Sequence, residues 1–111
     1  MPISVGIFHS KNPWNCGIVE LDSKNTIINF IEKPKNPIGD LANAGIYIFD
    51  DIILSNKELE LNKILDIGND LLPQFINKMK GYLIKEFILD IGTYENYTYA
   101  NDYVSKHPDY F

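Results

Sequence analysis

A mixed α/β module, with strands dominating the first half and strands alternating with helical stretches in the second, is the fold class this sequence predicts. Two observations carry it. Short β-branched and aromatic runs at residues 3–8, 17–21, 26–31 and 44–49 are separated by turn residues. Further on, Leu71, Leu72, Phe75, Ile76 and Met79 recur at helical spacing, and Thr93 stands where a final helix can start.

The elements follow in order. Residues 3–8 form a first strand, closed by Lys11-Asn12-Pro13. Residues 17–21 and 26–31 flank the polar turn Asp22-Ser23-Lys24-Asn25 and read as a β-hairpin that delivers Glu32 and Lys33 to its far end. Two prolines and a glycine make residues 34–40 a loop. A buried strand at 44–49 then leads into Asp50-Asp51 and one short helical turn. Asn69 or Asp70 caps a helix carrying Leu71 to Met79, with Pro73 in its first turn and Gly81 at its end. Residues 82–84 and 87–89 read as strand, either as one piece or as two. Thr93 caps the last helix, whose stripe is Tyr97, Ala100 and Val104.

A chain of 111 residues with 45% hydrophobic and 23% charged residues fits one soluble domain. It buries less than about 70% of its unfolded surface, so its stability is sensitive to any interface it is meant to cover. The net charge of −5 comes without a basic stripe, which argues against nucleic acid as a partner. Cys16 is the single cysteine, so an intrachain disulfide and a cysteine-rich zinc site are excluded and a reducing compartment fits. With no apolar run of about 18 residues and no secretory pattern, the sequence reads as cytoplasmic and without a membrane partner.

Three segments offer chemistry. Glu32-Lys33-Pro34 places an acceptor beside a cation at a strand end, with the proline restricting the Lys33 backbone; by itself it also reads as a solvated charged pair before a loop. In Asn43-Ala44-Gly45 an amide can bond a hydroxyl and a missing side chain lets a ligand approach, although both residues equally suit a turn. Asp90, at the end of an apolar run and before Gly92-Thr93, can ligate Mg²⁺, and Asp90 or Thr93 can instead simply cap the helix. His9 and His107 lie in no nucleophile motif, and the consecutive Gly-Lys-Ser/Thr of a phosphate loop is absent.

The ordered set of residues 16–22, 27–34 with its Glu-Lys-Pro, Asn43-Ala44-Gly45-Ile46-Tyr47, 66–75 and Asp90-Ile91-Gly92-Thr93 resembles the C-terminal half of sugar-phosphate nucleotidyltransferases. The pattern is most similar to guanylyltransferases acting on mannose 1-phosphate or D-glycero-D-manno-heptose 1-phosphate. The resemblance implies the C-terminal half of a Rossmann-like mixed sheet, with residues 1–111 as a partial, sugar-phosphate-binding domain. It implies the reaction of a sugar 1-phosphate with a nucleoside triphosphate, GTP in the closest pattern, to give a nucleoside diphosphate sugar and pyrophosphate.

Position by position, the resemblance implies that Glu32 accepts from sugar hydroxyls, Lys33 binds the sugar 1-phosphate, Asn43 orients the sugar and Gly17 lets the backbone approach it. Asp90 would hold one side of Mg²⁺, so Lys33 and Asp90 would be the catalytic pair. Tyr94 stands where a proline is common. The family's glycine-rich Gly-Thr-Arg loop, its lysine-proline pair and its second metal-binding aspartate have no counterpart here. The expectation is therefore a chain inactive alone, binding nucleoside triphosphate only with an N-terminal half supplied by a complementing chain. The alternative is a non-catalytic sugar-phosphate-binding remnant or partner subunit of a split enzyme. A first strand short of neighbours would leave an apolar face or an unpaired edge that favours self-association.

Overall fold

A computed structural model describes residues 1–54 and 66–110. Five strands form one sheet: β1 (Ile3–His9), β2 (Gly17–Leu21), β3 (Ile27–Glu32), β4 (Leu41–Phe49) and β5 (Met79–Leu83). Their spatial order is β3-β2-β4-β1-β5. The pair β1–β5 is parallel and the other neighbours are antiparallel, which makes the sheet mixed. A one-turn helix α1 (Asp51–Leu54) follows β4, and α2 (Tyr94–Lys106) lies near the C-terminus.

Alternation along β1 decides where the core sits. Ile3, Val5 and Ile7 are buried and point to one face, while Ser4, Gly6 and Phe8 point to the other. The β2–β3 hairpin curls over the first face. Its turn is built by Asp22, whose Oδ1 accepts the Lys24 and Thr26 N–H groups, both at 2.9 Å, and by Asn25 at φ 66°. Beyond the turn the chain reaches β5: Thr26 bridges Lys80, Gly81 N–H donates to Asn25 O at 2.9 Å, and Asn77 N–H donates to Ile27 O at 2.9 Å. Val19 and Ile27 of the hairpin thereby pack on Ile3, Val5, Ile7 and Met79, with Leu71, Leu72 and Phe75 as the cover.

Several expectations are corrected. The first strand is not at an edge: β1 lies between β4 and β5, and the edges belong to β3 and β5. The helix expected over residues 71–79 is a π turn at Ile67–Leu71 followed by a 3₁₀ turn at Leu72–Phe75. Its cap is Asp66, whose Oδ1 accepts Asn69 N–H at 3.0 Å. Pro73 has no N–H with which to continue a ladder, and Asn77 at φ 70° turns the chain so that Met79 pairs with Ile3 in β5. The periodic leucines and Phe75 are buried as expected, but Gly81 is mid-strand rather than a helix end. Residues 87–89 are not strand. Phe87 instead stacks on Tyr103 of α2 with ring centroids 3.8 Å apart and planes 7° apart.

Thr93 caps α2, its Oγ1 accepting Asn96 N–H at 3.1 Å, yet the expected stripe is not what packs. Tyr97 and Val104 are 53% and 42% exposed, and contact is made by Tyr103 and His107, whose rings stack at 4.0 Å. The expectation of a buried strand at residues 44–49 is corrected: Tyr47 and Phe49 are only half-buried on the inner face, and Ile46 and Ile48, with Tyr82 of β5, stand on the outer face and are more than half exposed. Among the described residues no helix is long and apolar enough to cross a membrane.

Leu72, 1% exposed under the sheet, tests this core. Leu72→Ala should cost about 2–5 kcal/mol in urea unfolding, because the cavity has rigid walls in β1 and β5. A loss under about 1 kcal/mol would mean that the 66–75 cover is not packed as described.

Candidate functional site

Strand register brings the candidate residues into one row. Gly17 lies opposite Glu32, and the pair Ile18–Ala42 sets Asn43 beside Gly17, while Asn43 itself pairs with Ile7. All of these face the curled inner side of the sheet. There, Glu32, Lys33, Asn43 and Tyr47 form one wall of an open cleft of about 630 Å³, and Asp66, Ile67, Gly68 and Asn69 form the other. The volume is ordinary for a small-molecule site.

The room above Gly17 is occupied from within the chain. A Cβ there would lie 2.7 Å from Phe30 Cζ and 3.0 Å from Glu32 Oε2. Gly68 faces the same carboxylate from the opposite wall, where a Cβ would lie 3.1 Å from Glu32 Oε2. The two glycines thus hold space on either side of Glu32.

Lys33 departs from the extended conformation that a following proline favours. Its φ is 47°, in the left-handed region, and its N–H donates to Cys16 O at 2.9 Å. That bond adds a last rung to the β2–β3 ladder, after which the chain must turn at once into Pro34. A non-glycine residue held this way costs about 1–3 kcal/mol, and such strain collects at functional sites. Neither ion pair among the described residues, His9–Asp40 and Lys106–Asp102, engages Lys33.

Asn43 and Tyr47 meet through an irregularity of β4. Between the pairs Val5–Tyr47 and Ile7–Asn43, one residue of β1 faces three of β4, with Gly45 at φ 74°. In a regular strand, residues four apart are separated by about 13 Å; the excursion shortens this enough for contact. Asn43 Oδ1 accepts Gly45 N–H at 2.9 Å, and its Nδ2 donates to the Tyr47 hydroxyl. Burial raises the Tyr47 phenol above its ordinary value; the Asn43 bond opposes this, and the Glu32 and Asp66 carboxylates add to it.

Asp90 is not part of this wall. It lies between β5 and α2, where its Oδ1 accepts Gly92 N–H and its carbonyl accepts from Asn96 Nδ2, both at 2.8 Å. Thr93 is the helix cap, which leaves the Asp90 carboxylate outside that duty. As a donor set for Mg²⁺ it is one carboxylate, and no group of three or more potential ligands occurs among the described residues. This suits a cation that takes one or two carboxylates and completes its shell with substrate phosphate and water.

Sequence reasoning did not single out Tyr47, Asp66, Gly68 or Asn69 as cleft residues. Tyr47 reads as an ordinary strand aromatic, and Asp66 is recognisable only as a capping residue three positions before Asn69.

The mouth of the curled mixed sheet thus offers carboxylates, an ammonium, an amide and a phenol, groups that can bond a small polar ligand. The nucleotidyl transferase family model matches residues 2–107, and the chain belongs to that family. The chain is 37% identical over 107 residues to the bifunctional protein GlmU of Methanocaldococcus jannaschii, covering 91% of this chain and 26% of that protein. It is 34% identical over 109 residues to a glucose-1-phosphate adenylyltransferase of Clostridioides difficile, covering 87% and 28%. Among solved structures, a protein named as a glucose-1-phosphate thymidylyltransferase of Bacillus anthracis, crystallised with a sucrose, superposes with a TM-score of 0.73 at 26% identity, covering 92% of this chain and 43% of that one. The chain therefore spans about a quarter of the length of the curated relatives it matches.

The Tyr47 shift makes an alkaline prediction. A phenol whose folded pKa is raised stabilises the fold fully below the unfolded value of about 10, and that contribution is lost as pH rises through the folded value. Unfolding curves between about pH 9 and 11 should fall less steeply for Tyr47→Phe than for the parent chain. Parallel curves would contradict the raised phenol.

Proposed function

We propose that this chain forms the sugar-1-phosphate side of a nucleotidyl transfer site, the parent reaction converting a sugar 1-phosphate and a nucleoside triphosphate into a nucleoside diphosphate sugar and pyrophosphate. The observation that carries the reading is the meeting of Glu32, Lys33 and Asn43 in one cleft of a chain that belongs to the nucleotidyl transferase family. Lys33 sets its ammonium against the sugar phosphate, and Glu32 accepts from ring hydroxyls. The phosphate nucleophile is already ionised, so the chain's task is to position it and offset its charge. Asp90 supplies one carboxylate to Mg²⁺, which when bound neutralises phosphate charge during transfer.

The sequence contains no arginine and hence no Gly-Thr-Arg loop, so the reading includes a nucleotide-gripping segment supplied from outside these 111 residues, in a cytoplasmic setting. The motif pattern favours a manno-configured sugar and GTP. The relatives named for glucose 1-phosphate carry adenylyl or thymidylyl transfer in their names, so both sugar configurations and all common nucleotides belong in the assay. The outer-face residues Ile46, Ile48 and Tyr82 support self-association or contact with a complementing chain.

The test is titration of the full chain with mannose 1-phosphate and glucose 1-phosphate, followed by NMR, with pyrophosphate release measured with and without a family member's Gly-Thr-Arg segment added. Binding alone, and turnover only with the added segment, is the expected result. Absence of shifts at residues 32, 33 and 43 with every sugar phosphate overturns the reading. Lys33→Gly adds a two-sided check: relief of the left-handed backbone should stabilise the fold by up to about 1 kcal/mol while sugar-phosphate binding falls at least tenfold. Retained binding would remove Lys33 from the site.

A further inference from the structure

Asp90 lies in the irregular connection between Leu83, the last residue of β5, and Tyr94, the first of α2. No strand or helix ladder holds it there, yet its place is set from several sides. Its Oδ1 accepts Gly92 N–H at 2.8 Å, and a Cβ on residue 92 would lie 3.0 Å from that oxygen, so glycine keeps the carboxylate's seat open. Its carbonyl accepts from Asn96 Nδ2 at 2.8 Å. Upstream, Phe87 is stacked on Tyr103, which is stacked in turn on His107. The connection is therefore fastened to α2 on both sides of Asp90.

The Asn96 side chain does something that the helix itself does not require. The cap is made by Thr93 Oγ1 and the backbone N–H of Asn96, and it would survive removal of the amide. At an exposed position in the first turn that amide has water as a ready partner. It is instead turned back six positions, with its NH₂ side towards the Asp90 carbonyl, the only side that can donate. The Asp90 peptide is thus held by Asn96 and its Oδ1 by Gly92, which leaves Oδ2 without a protein donor among the described residues. A cation held by one carboxylate depends on that carboxylate being in place beforehand.

We infer that Asn96 is a positioning residue for Asp90, tying its peptide to the first turn of α2 so that the carboxylate is presented to a divalent cation in one orientation. This rests on the proposed role of Asp90 and adds what holds that residue in place. Asn96 itself touches neither cation nor substrate.

The experiment uses Mn²⁺ alone as the probe, titrated into the full chain, with paramagnetic broadening of the Gly92 and Thr93 amide signals as the readout. The Asp102 amide is the internal reference, because Asp102 is an exposed carboxylate paired only with Lys106. In the parent chain Gly92 and Thr93 should broaden at lower Mn²⁺ than Asp102, and Asp90→Asn should abolish that preference. Asn96→Ala should weaken binding at Gly92 roughly tenfold, the low end of what losing a hydrogen bond behind a metal ligand costs. Helicity by circular dichroism should be unchanged, since alanine favours the helix and the Thr93 cap remains. Asn96→Gln, which keeps the donor on a longer arm, should recover part of the loss.

If Asn96→Ala leaves binding at Gly92 within about twofold of the parent, the inference falls while Asp90 stands as a cation ligand. A loss of binding that comes with a loss of helicity and is not recovered by Asn96→Gln makes Asn96 a structural residue only, which also overturns it. If the parent chain shows no preference for Gly92 over Asp102, the proposed role of Asp90 falls as well.

Discussion

The closing of the β2–β3 hairpin onto the start of β5 is the constraint from which the rest of the molecule follows. Three backbone links, Thr26 with Lys80, Gly81 with Asn25, and Asn77 with Ile27, join segments fifty or more positions apart in sequence. Without them, β2 and β3 would extend from β4 as a flat ribbon whose inner side faced water. With them, Val19 and Ile27 meet Ile3, Val5 and Met79 across a single interior. The same curl leaves an open mouth at the other end of the hairpin, and that mouth is the cleft. Core and site are two ends of one bend.

The sequence made much of this legible, and where it did not the reasons are physical. The hairpin was readable because its turn chemistry is local: Asp22 bonds two amides within four residues, and Asn25 tolerates a positive φ. The delivery of Glu32 and Lys33 to a strand end followed from that hairpin alone. The central place of β1 was not readable, because strand order depends on pairings such as Ile3 with Met79 that no local pattern encodes. Residues 71–79 misled because buried leucines at helical spacing are equally satisfied by two short turns under a sheet, and the break depends on where Met79 finds its partner.

At the cleft the division is the same. Glu32, Lys33 and Asn43 were identifiable because charged and amide groups beside glycine and proline stand out in a sequence. Tyr47 was not, because its nearness to Asn43 exists only through the excursion at residues 44–46. The left-handed backbone of Lys33 was also hidden, since Pro34 argues for an extended residue and only the rung to Cys16 explains the departure. Asp90 stands apart from these, held by Gly92 on the segment that leads into α2.

The excursion in β4 places two surplus residues opposite Gly6. Strand faces alternate with a period of two, so an even surplus is silent for parity: residues 41, 43, 47 and 49 all keep to the inner side. An odd change in this loop of backbone would turn the whole downstream half of the strand inside out, exchanging Tyr47 and Phe49 for Ile46 and Ile48. Length variation here is therefore quantised. A homologue can lose or gain residues between Asn43 and Tyr47 in pairs and still keep its fold, while tuning how far apart the amide and the aromatic position stand, whereas a single-residue change trades core for surface.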